Sequence, residues 1–162
     1  MRISLMSLIS LGFALFLTAP AVAQPTQPGP RTFTSEAEIQ QLIAKAKADR
    51  KGDAPITVEP ILVLAPYRAN LEYRPAAAAA AVHDTEDELM VVLEGGGTIR
   101  LGGQLVNPKR TNPTNQSAAS ISGGRDQVLS KGDVLIVPHG TPHQVIAVEA
   151  PALVLMTMHV PQ

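Results

Sequence analysis

The residues of this sequence best suited to metal binding or catalysis are its four histidines, and two of them lie beside apolar runs. His83 is followed by Glu88, which directly precedes the run Leu89–Leu93, and His143 precedes Val145–Val148. Two imidazoles and one carboxylate suit a divalent transition metal, and the open positions of such a site can take water, oxygen or a substrate. The residue types therefore predict one metal site at His83, Glu88 and His143.

These side chains can meet only if two strands bring them together. Period-two alternation places Glu88 on one face of a strand with Met90 and Val92, and it places His143 on one face with Val145 and Ala147. If both faces line the same barrel, the three candidate ligands converge.

The alanine run that precedes His83 opposes this arrangement. Ala76–Ala81 favours a helix by intrinsic propensity, and Pro75 suits the first helical turn. A helix continuing through Leu89 would place His83 and Glu88 roughly 140° apart around its axis. The metal hypothesis therefore requires the run to be extended, or to end before His83.

Short strands are predicted over most of the chain. Apolar or alternating runs punctuated by turn residues are typical of a sandwich or barrel. Glycines at 95–97 and 102–103 are interpreted as hairpin turns. The long polar stretch Asn107–Gly124 is a lid, a binding loop or a mobile surface loop, and the last is favoured. The predicted strands are Thr57–Leu64, Leu71–Tyr73, Leu89–Leu93, Thr98–Leu101, Val134–Val137, Val145–Val148 and Leu153–Met158.

The N-terminal third is predicted to consist of a targeting segment, a linker and a helix. Residues 1–23 resemble a cleaved secretory signal peptide, because an apolar run too short for a usual membrane span ends at Ala21-Val22-Ala23. This predicts a secreted or periplasmic protein with no membrane contact after cleavage. Residues 24–34 form a linker and residues 35–55 a helix with its connection, begun by the capping box of Ser35 and Glu38 and ended near Gly52. Residues 56–162 form the predicted barrel.

Composition excludes several classes of function. The chain has 162 residues, of which 45% are hydrophobic and 17% charged, which indicates a folded domain. A net charge of −1 and 3% aromatic residues argue against a nucleic-acid partner. The absence of cysteine excludes disulfides, a thiol nucleophile and a zinc–thiolate site.

Around its histidines the chain resembles the cupin superfamily, and within it the small type-2 barrels. Gly132, Pro138, Gly140 and His143 match the second cupin motif in spacing, with Ala147 at its final Asn position. His83, Glu88 and Gly95 match the first motif, with Pro75 in place of its leading Gly and Ala81 in place of its first His. The resemblance extends over residues 61–160.

The resemblance implies an all-β fold, a double-stranded β-helix or jelly-roll cupin barrel, with one N-terminal helix. Members commonly bind manganese, iron, zinc, nickel or copper through three His and one Glu, which implies ligands at His83, Glu88 and His143 and a missing ligand at Ala81. The implied function is binding of a small molecule, with dioxygenase or isomerase activity. The alternatives are a metal-free binding or scaffold barrel, or a partner-binding module that uses the helix. Members of the family often pair as homodimers.

The other candidates are interpreted more simply. His139, at the variable position of the second motif, and His159, near the end of the last strand, are expected to be exposed. Tyr73 and Arg74 either reach the cavity, where they would hold an anionic substrate, or lie on the outer face.

Overall fold

A computed structural model describes residues 29–162 and shows one helix followed by thirteen strands. The helix α1 (Glu36–Asp49) begins at Ser35, whose side chain accepts from the Glu38 amide while the Glu38 carboxylate accepts from the Ser35 amide. This confirms the predicted capping box. The predicted signal peptide, residues 1–23, lies outside the described residues. Within residues 29–162, no helix combines the length and apolar character needed to cross a membrane.

The strands are antiparallel and form two large sheets and one small one. The strands are β1 (Thr57–Leu64), β2 (Tyr67–Arg74), β3 (Ala80–His83), β4 (Glu86–Glu94), β5 (Gly96–Leu101), β6 (Gln104–Leu105), β7 (Lys109–Asn112), β8 (Asn115–Ala118), β9 (Ile121–Ser122), β10 (Arg125–Ser130), β11 (Val134–Val137), β12 (His143–Val148) and β13 (Leu153–Pro161). One large sheet has the order β1-β2-β13-β4-β11, the second has the order β10-β5-β12-β3-β8-β7, and β6 pairs with β9. This architecture confirms the predicted jelly-roll barrel with one helix.

The two large sheets enclose an apolar core. Side chains from one face of each sheet pack together between the sheets, as alternation along each strand requires. Removal of this apolar surface from water is the main stabilising contribution to the barrel. The core comprises Met90, Val92, Ile99, Leu101, Leu129, Val137, Val145, Leu153 and Leu155.

A second apolar layer joins α1 to the outer face of the five-stranded sheet. One face of the helix packs there through Ile39, Leu42, Ile43 and Ala46, and Ala46 is fully buried. Before the helix, Arg31 exchanges backbone hydrogen bonds with Val63 of β1, so the part of the predicted linker that the structure describes lies against the sheet.

Two sequence interpretations are corrected by the strand pairing. The glycines at 95–97 are not a hairpin turn, because β4 and β5 lie in different sheets and Gly95 carries the chain from one to the other. Gly95 has a φ of +72°, and a Cβ there would lie against the Ala152 carbonyl oxygen. Glycines 102–103 likewise join β5 to β6, which are not paired.

The polar stretch Asn107–Gly124 is not an irregular loop. It contains β7, β8 and β9, and β8 pairs with β3 along its whole length. This pairing also resolves the conflict over the alanine run, since the end of that run is part of β3 rather than a helix. Tertiary pairing overrides the helix propensity of alanine at this position.

Candidate metal centre

Glu88 is a carboxylate buried in the barrel interior, with only 3% of the residue exposed. It lies on the inward row of β4 with Met90 and Val92, as the alternation predicts. Its Oε2 atom lies 3.0 Å from His143 Nε2 and 3.4 Å from His83 Nε2. The structure therefore brings the three predicted ligands together at one carboxylate oxygen.

Three strands and one turn fix this convergence. His83 is the last residue of β3 and His143 is the first residue of β12, and these strands are neighbours in the six-stranded sheet. The turn that follows β11 contains Gly140, whose φ of +69° explains the preference for glycine there. The Gly140 amide donates to the His83 carbonyl oxygen at 2.7 Å, so the turn of the second motif is anchored to the first.

The outer nitrogens of the two imidazoles are held by carbonyl groups. His143 Nδ1 lies 3.1 Å from the Thr141 backbone oxygen, and His83 Nδ1 lies 3.1 Å from Asn115 Oδ1. Because these oxygens only accept hydrogen bonds, each Nδ1 carries the proton. In the neutral tautomer, both Nε2 atoms then direct a lone pair toward Glu88. Metal-binding histidines are typically oriented in this way.

His159 is a fourth member of the cluster, and the expectation that it is simply exposed is wrong. It lies directly opposite Glu88 in the pairing of β13 with β4, and its side chain is 29% exposed. Its Nε2 is 3.9 Å from Glu88 Oε1, and its ring meets the His83 ring edge-on with centroids 4.4 Å apart. Alternation along β13 could have predicted this position, because His159 lies on the same face of the strand as Leu153 and Leu155.

Distances alone select His83, Glu88 and His159 as a possible metal-binding group. One ligand atom from each lies within 4.8 Å of the others. His143 contacts the same Glu88 oxygen from the other sheet but is not part of that group. Ala81, opposite His143 in the pairing of β12 with β3, presents only a methyl group where the family pattern has its first histidine.

Two buried polar atoms in this cluster lack a well-directed hydrogen bond. They are Glu88 Oε2 and His159 Nδ1. Buried polar atoms are normally satisfied, so such atoms call for an ion or another partner. The donor set of imidazole nitrogens and one carboxylate fits a divalent transition metal.

Electrostatics keep Glu88 ionised. Burial raises the pKa of its carboxyl group, but the contacts with His143 and His83 outweigh burial and hold the pKa well below its usual range. Burial lowers the pKa of His83, but the contact with Glu88 and the hydrogen bond with Asn115 raise it above the ordinary histidine value. An anionic carboxylate thus faces the His83 imidazole, which favours a bound cation or a proton.

The remaining candidates lie outside the cluster. His139 is half exposed and contacts Asp87 Oδ1 at 2.9 Å. Tyr73 is buried with the residues beneath α1, on the outer face of the sheet. Arg74 lies on the opposite face, where its Nε donates to Glu72 Oε2 at 2.7 Å. Arg74 is therefore already paired.

Comparison with one solved structure, BH2720, supports the fold. BH2720 from Bacillus halodurans aligns with a TM-score of 0.54 at 16% identity, covering 85% of this chain and 87% of that chain. KdgF from Halomonas sp. aligns with a TM-score of 0.48 at 18% identity, covering 70% of this chain and 87% of that one. TT1209 from Thermus thermophilus aligns with a TM-score of 0.49 at 20% identity, covering 71% of this chain and 91% of that chain.

The sequence comparisons give the family. No curated protein matches the chain. The family model described as Cupin matches residues 61–161, which is most of the chain and contains every residue of the cluster around Glu88. The chain therefore belongs to the cupin family.

Proposed function

We propose that this protein binds one divalent transition metal through His83, Glu88 and His143, with His159 as a fourth ligand, and holds a small molecule beside it. The observation that carries this proposal is the pair of imidazoles whose Nδ1 protons are fixed by carbonyl oxygens. Their Nε2 atoms then face one buried carboxylate oxygen that has no well-directed hydrogen bond.

That arrangement needs a cation. In the neutral tautomer, His143 Nε2 and Glu88 Oε2 are both hydrogen-bond acceptors, yet they lie 3.0 Å apart. Two lone pairs at this distance repel each other in a buried site, and only a proton or a metal ion between them relieves the repulsion. The four donors come from β3, β4, β12 and β13, so residues of both sheets would hold the metal.

His159 would supply the donor that is missing at Ala81. Position 81 is in the six-stranded sheet, whereas His159 is in the five-stranded sheet, directly opposite Glu88. The set would then contain three imidazoles and one carboxylate, as is common in the family, with one imidazole from a different strand.

The proposed activity is that of a dioxygenase or isomerase acting on a small molecule. A divalent metal in this position would polarise or activate an oxygen atom bound to it. The protein would orient the imidazoles through Thr141 and Asn115 and keep Glu88 ionised. The type-2 subgroup and the homodimer remain predictions.

Metal analysis of the untagged protein tests the proposal. We expect about one equivalent of metal in the wild type and a large loss in His143→Ala. His139→Ala is the matched control, because His139 is half exposed and pairs with Asp87 instead. Equal metal content in wild type and folded His143→Ala would exclude the site. His159→Ala tests the fourth ligand separately, since metal affinity that does not change would remove His159 from the set.

A second candidate function is a metal-free binding or scaffold barrel. The observation in its favour is Ala81, which offers no donor where the family pattern has one. Retention of a small-molecule ligand by a protein that takes up no added metal would support this alternative.

Export is a separate part of the proposal. The pattern of residues 1–23 supports cleavage after Ala23 and a secreted or periplasmic location. N-terminal sequencing of the protein recovered from its native host should begin at Gln24. A chain that still begins at Met1 would contradict export by this route.

A further inference from the structure

A small cavity of about 250 Å³ opens at the mouth of the barrel beside the cluster around Glu88. It is smaller than the roughly 300–1,000 Å³ of sites for drug-sized ligands, so its occupant is a small molecule. Two members of the cluster, His83 and His159, line this cavity and offer ring nitrogens to its occupant. The other polar wall residues are Arg68, Asn70, Glu86 and Asn115.

Arg68 is the cation of this wall. It is exposed on β2, and none of the ion pairs among residues 29–162 includes it. Arg74 lies on the same face of the same strand, further along, and there Glu72 neutralises the guanidinium. The strand therefore has one paired arginine deep in the barrel and one unpaired arginine at its mouth.

The two asparagines add hydrogen-bond donors. Asn115 Oδ1 accepts from His83 Nδ1, so its amide NH₂ group is left for another partner. The Asn70 side chain lines the same cavity and takes part in none of the side-chain hydrogen bonds found in the described chain. A guanidinium and two amide NH₂ groups are suited to the oxygen atoms of an anion.

Glu86 limits the charge of that anion. Its Oε2 lies 3.5 Å from His159 Nδ1, on the wall of the same cavity. A carboxylate so close to the occupant repels a dianion more strongly than a monoanion. This favours a carboxylate over a phosphate as the group that pairs with Arg68.

We propose that the cavity binds a small monocarboxylate, with its carboxylate group on Arg68, Asn70 and Asn115. The opposite end of the molecule then lies against His83 and His159, which would present it to the metal. Presentation of the molecule to a metal rests on the proposed function, whereas pairing of its carboxylate group with Arg68 does not.

Calorimetric titration with pyruvate tests the proposal, because pyruvate is a small monocarboxylate with a neighbouring carbonyl oxygen. We expect millimolar or tighter binding to the wild type and at least about tenfold weaker binding to Arg68→Gln, through loss of a charge-assisted pair. Arg125→Gln is the matched control, because Arg125 is also exposed and outside the ion pairs but lies on β10. We expect it to bind pyruvate within about twofold of the wild type, since Arg125 borders other surface pockets.

Neutral methyl pyruvate and inorganic phosphate complete the test, and both should bind more weakly than pyruvate. Equal binding of pyruvate to wild type and Arg68→Gln, tighter binding of phosphate, or no binding of pyruvate would each overturn the proposal. Metal content, measured on the same samples, separates the two claims. Pyruvate binding through Arg68 without any metal uptake would contradict the proposed function alone. Normal metal content without pyruvate binding would contradict this inference alone.

Discussion

On β4 and β13, the inward row of side chains is polar at one end of the barrel interior and apolar at the other. On β4, the row runs from Glu88 at the mouth to Met90 and Val92. On β13, it runs from Leu153 and Leu155 at the closed end to His159 at the mouth. Each row passes from apolar to polar within a few residues.

The difference between the ends lies in how burial acts on stability. At the closed end, each buried aliphatic side chain stabilises the fold by leaving water. At the mouth, Glu88 and Val92 are equally buried, at 3% exposed, but a buried carboxylate is stable only beside compensating partners. The apolar end thus provides a rigid frame, and the polar end depends on what the imidazoles and their cation supply.

The largest expected effect is at the closed end. Leu155 is fully buried in the core between the sheets, so Leu155→Ala should lower the free energy of unfolding by about 2–5 kcal/mol. Urea denaturation of the metal-free protein measures this. Metal affinity of the folded variant should match the wild type, and a parallel loss of affinity would show that the two ends are not independent.

A smaller effect is expected from the hydrogen bond behind His83. Asn115→Ala removes the acceptor of the His83 Nδ1 proton, and loss of such a partner lowers metal affinity by about 10–100-fold. Competition with a chromophoric chelator measures the change. Asn112→Ala is the control in the same hairpin, and if both variants bind metal equally, Asn115 does not orient the ligand.

Lowering the pH should stabilise the metal-free protein through His83 and should weaken metal binding at the mouth of the barrel. In the metal-free protein the pKa of His83 is raised, so its contribution to stability is present below the ordinary pKa of about 6.5 and is lost as the pH rises through the raised value. Metal binding must displace that proton, so affinity should fall about tenfold per pH unit below the raised pKa. Between pH ~5 and ~8, stability and metal titrations should therefore change in opposite directions.

The low pKa of Glu88 keeps its protonation out of that range. Its contribution to stability is present above the ordinary carboxyl pKa and is lost only at lower pH.

The pH dependence of metal affinity also tests His83. If metal affinity does not change across the range in which His83 titrates, His83 is not a ligand.

The smallest effect is expected outside the barrel. Val134 and Val137 lie on β11, but Val134 is 68% exposed and Val137 is buried. Val134→Ala should change the free energy of unfolding by no more than about 0.5 kcal/mol, and Val137→Ala by about 2 kcal/mol. The same denaturation experiment compares them. An equal cost for both would indicate that the outer face of β11 is covered by another surface, such as a second copy of the chain.

Much of the fold could be predicted because local patterns report local environments. The bounds of β1 and β11 agree with the predicted runs, and the Ser35–Glu38 capping box marks the start of α1. The strands β7, β8 and β9 could not be predicted, because their residues are largely polar and show no alternation. Such strands form because a neighbouring edge offers backbone partners, which no local pattern reveals.

For the candidate site, the sequence by itself determined which faces Glu88 and His143 share with apolar neighbours, since strand alternation is a property of the backbone. Tertiary structure decided which of those faces meet. It converted the end of the alanine run into β3, placed Asn115 behind His83, and put His159 opposite Glu88. The physical reason is that the pairing of distant strands depends on the whole set of backbone hydrogen bonds and buried surfaces, and not on the residues of any one segment.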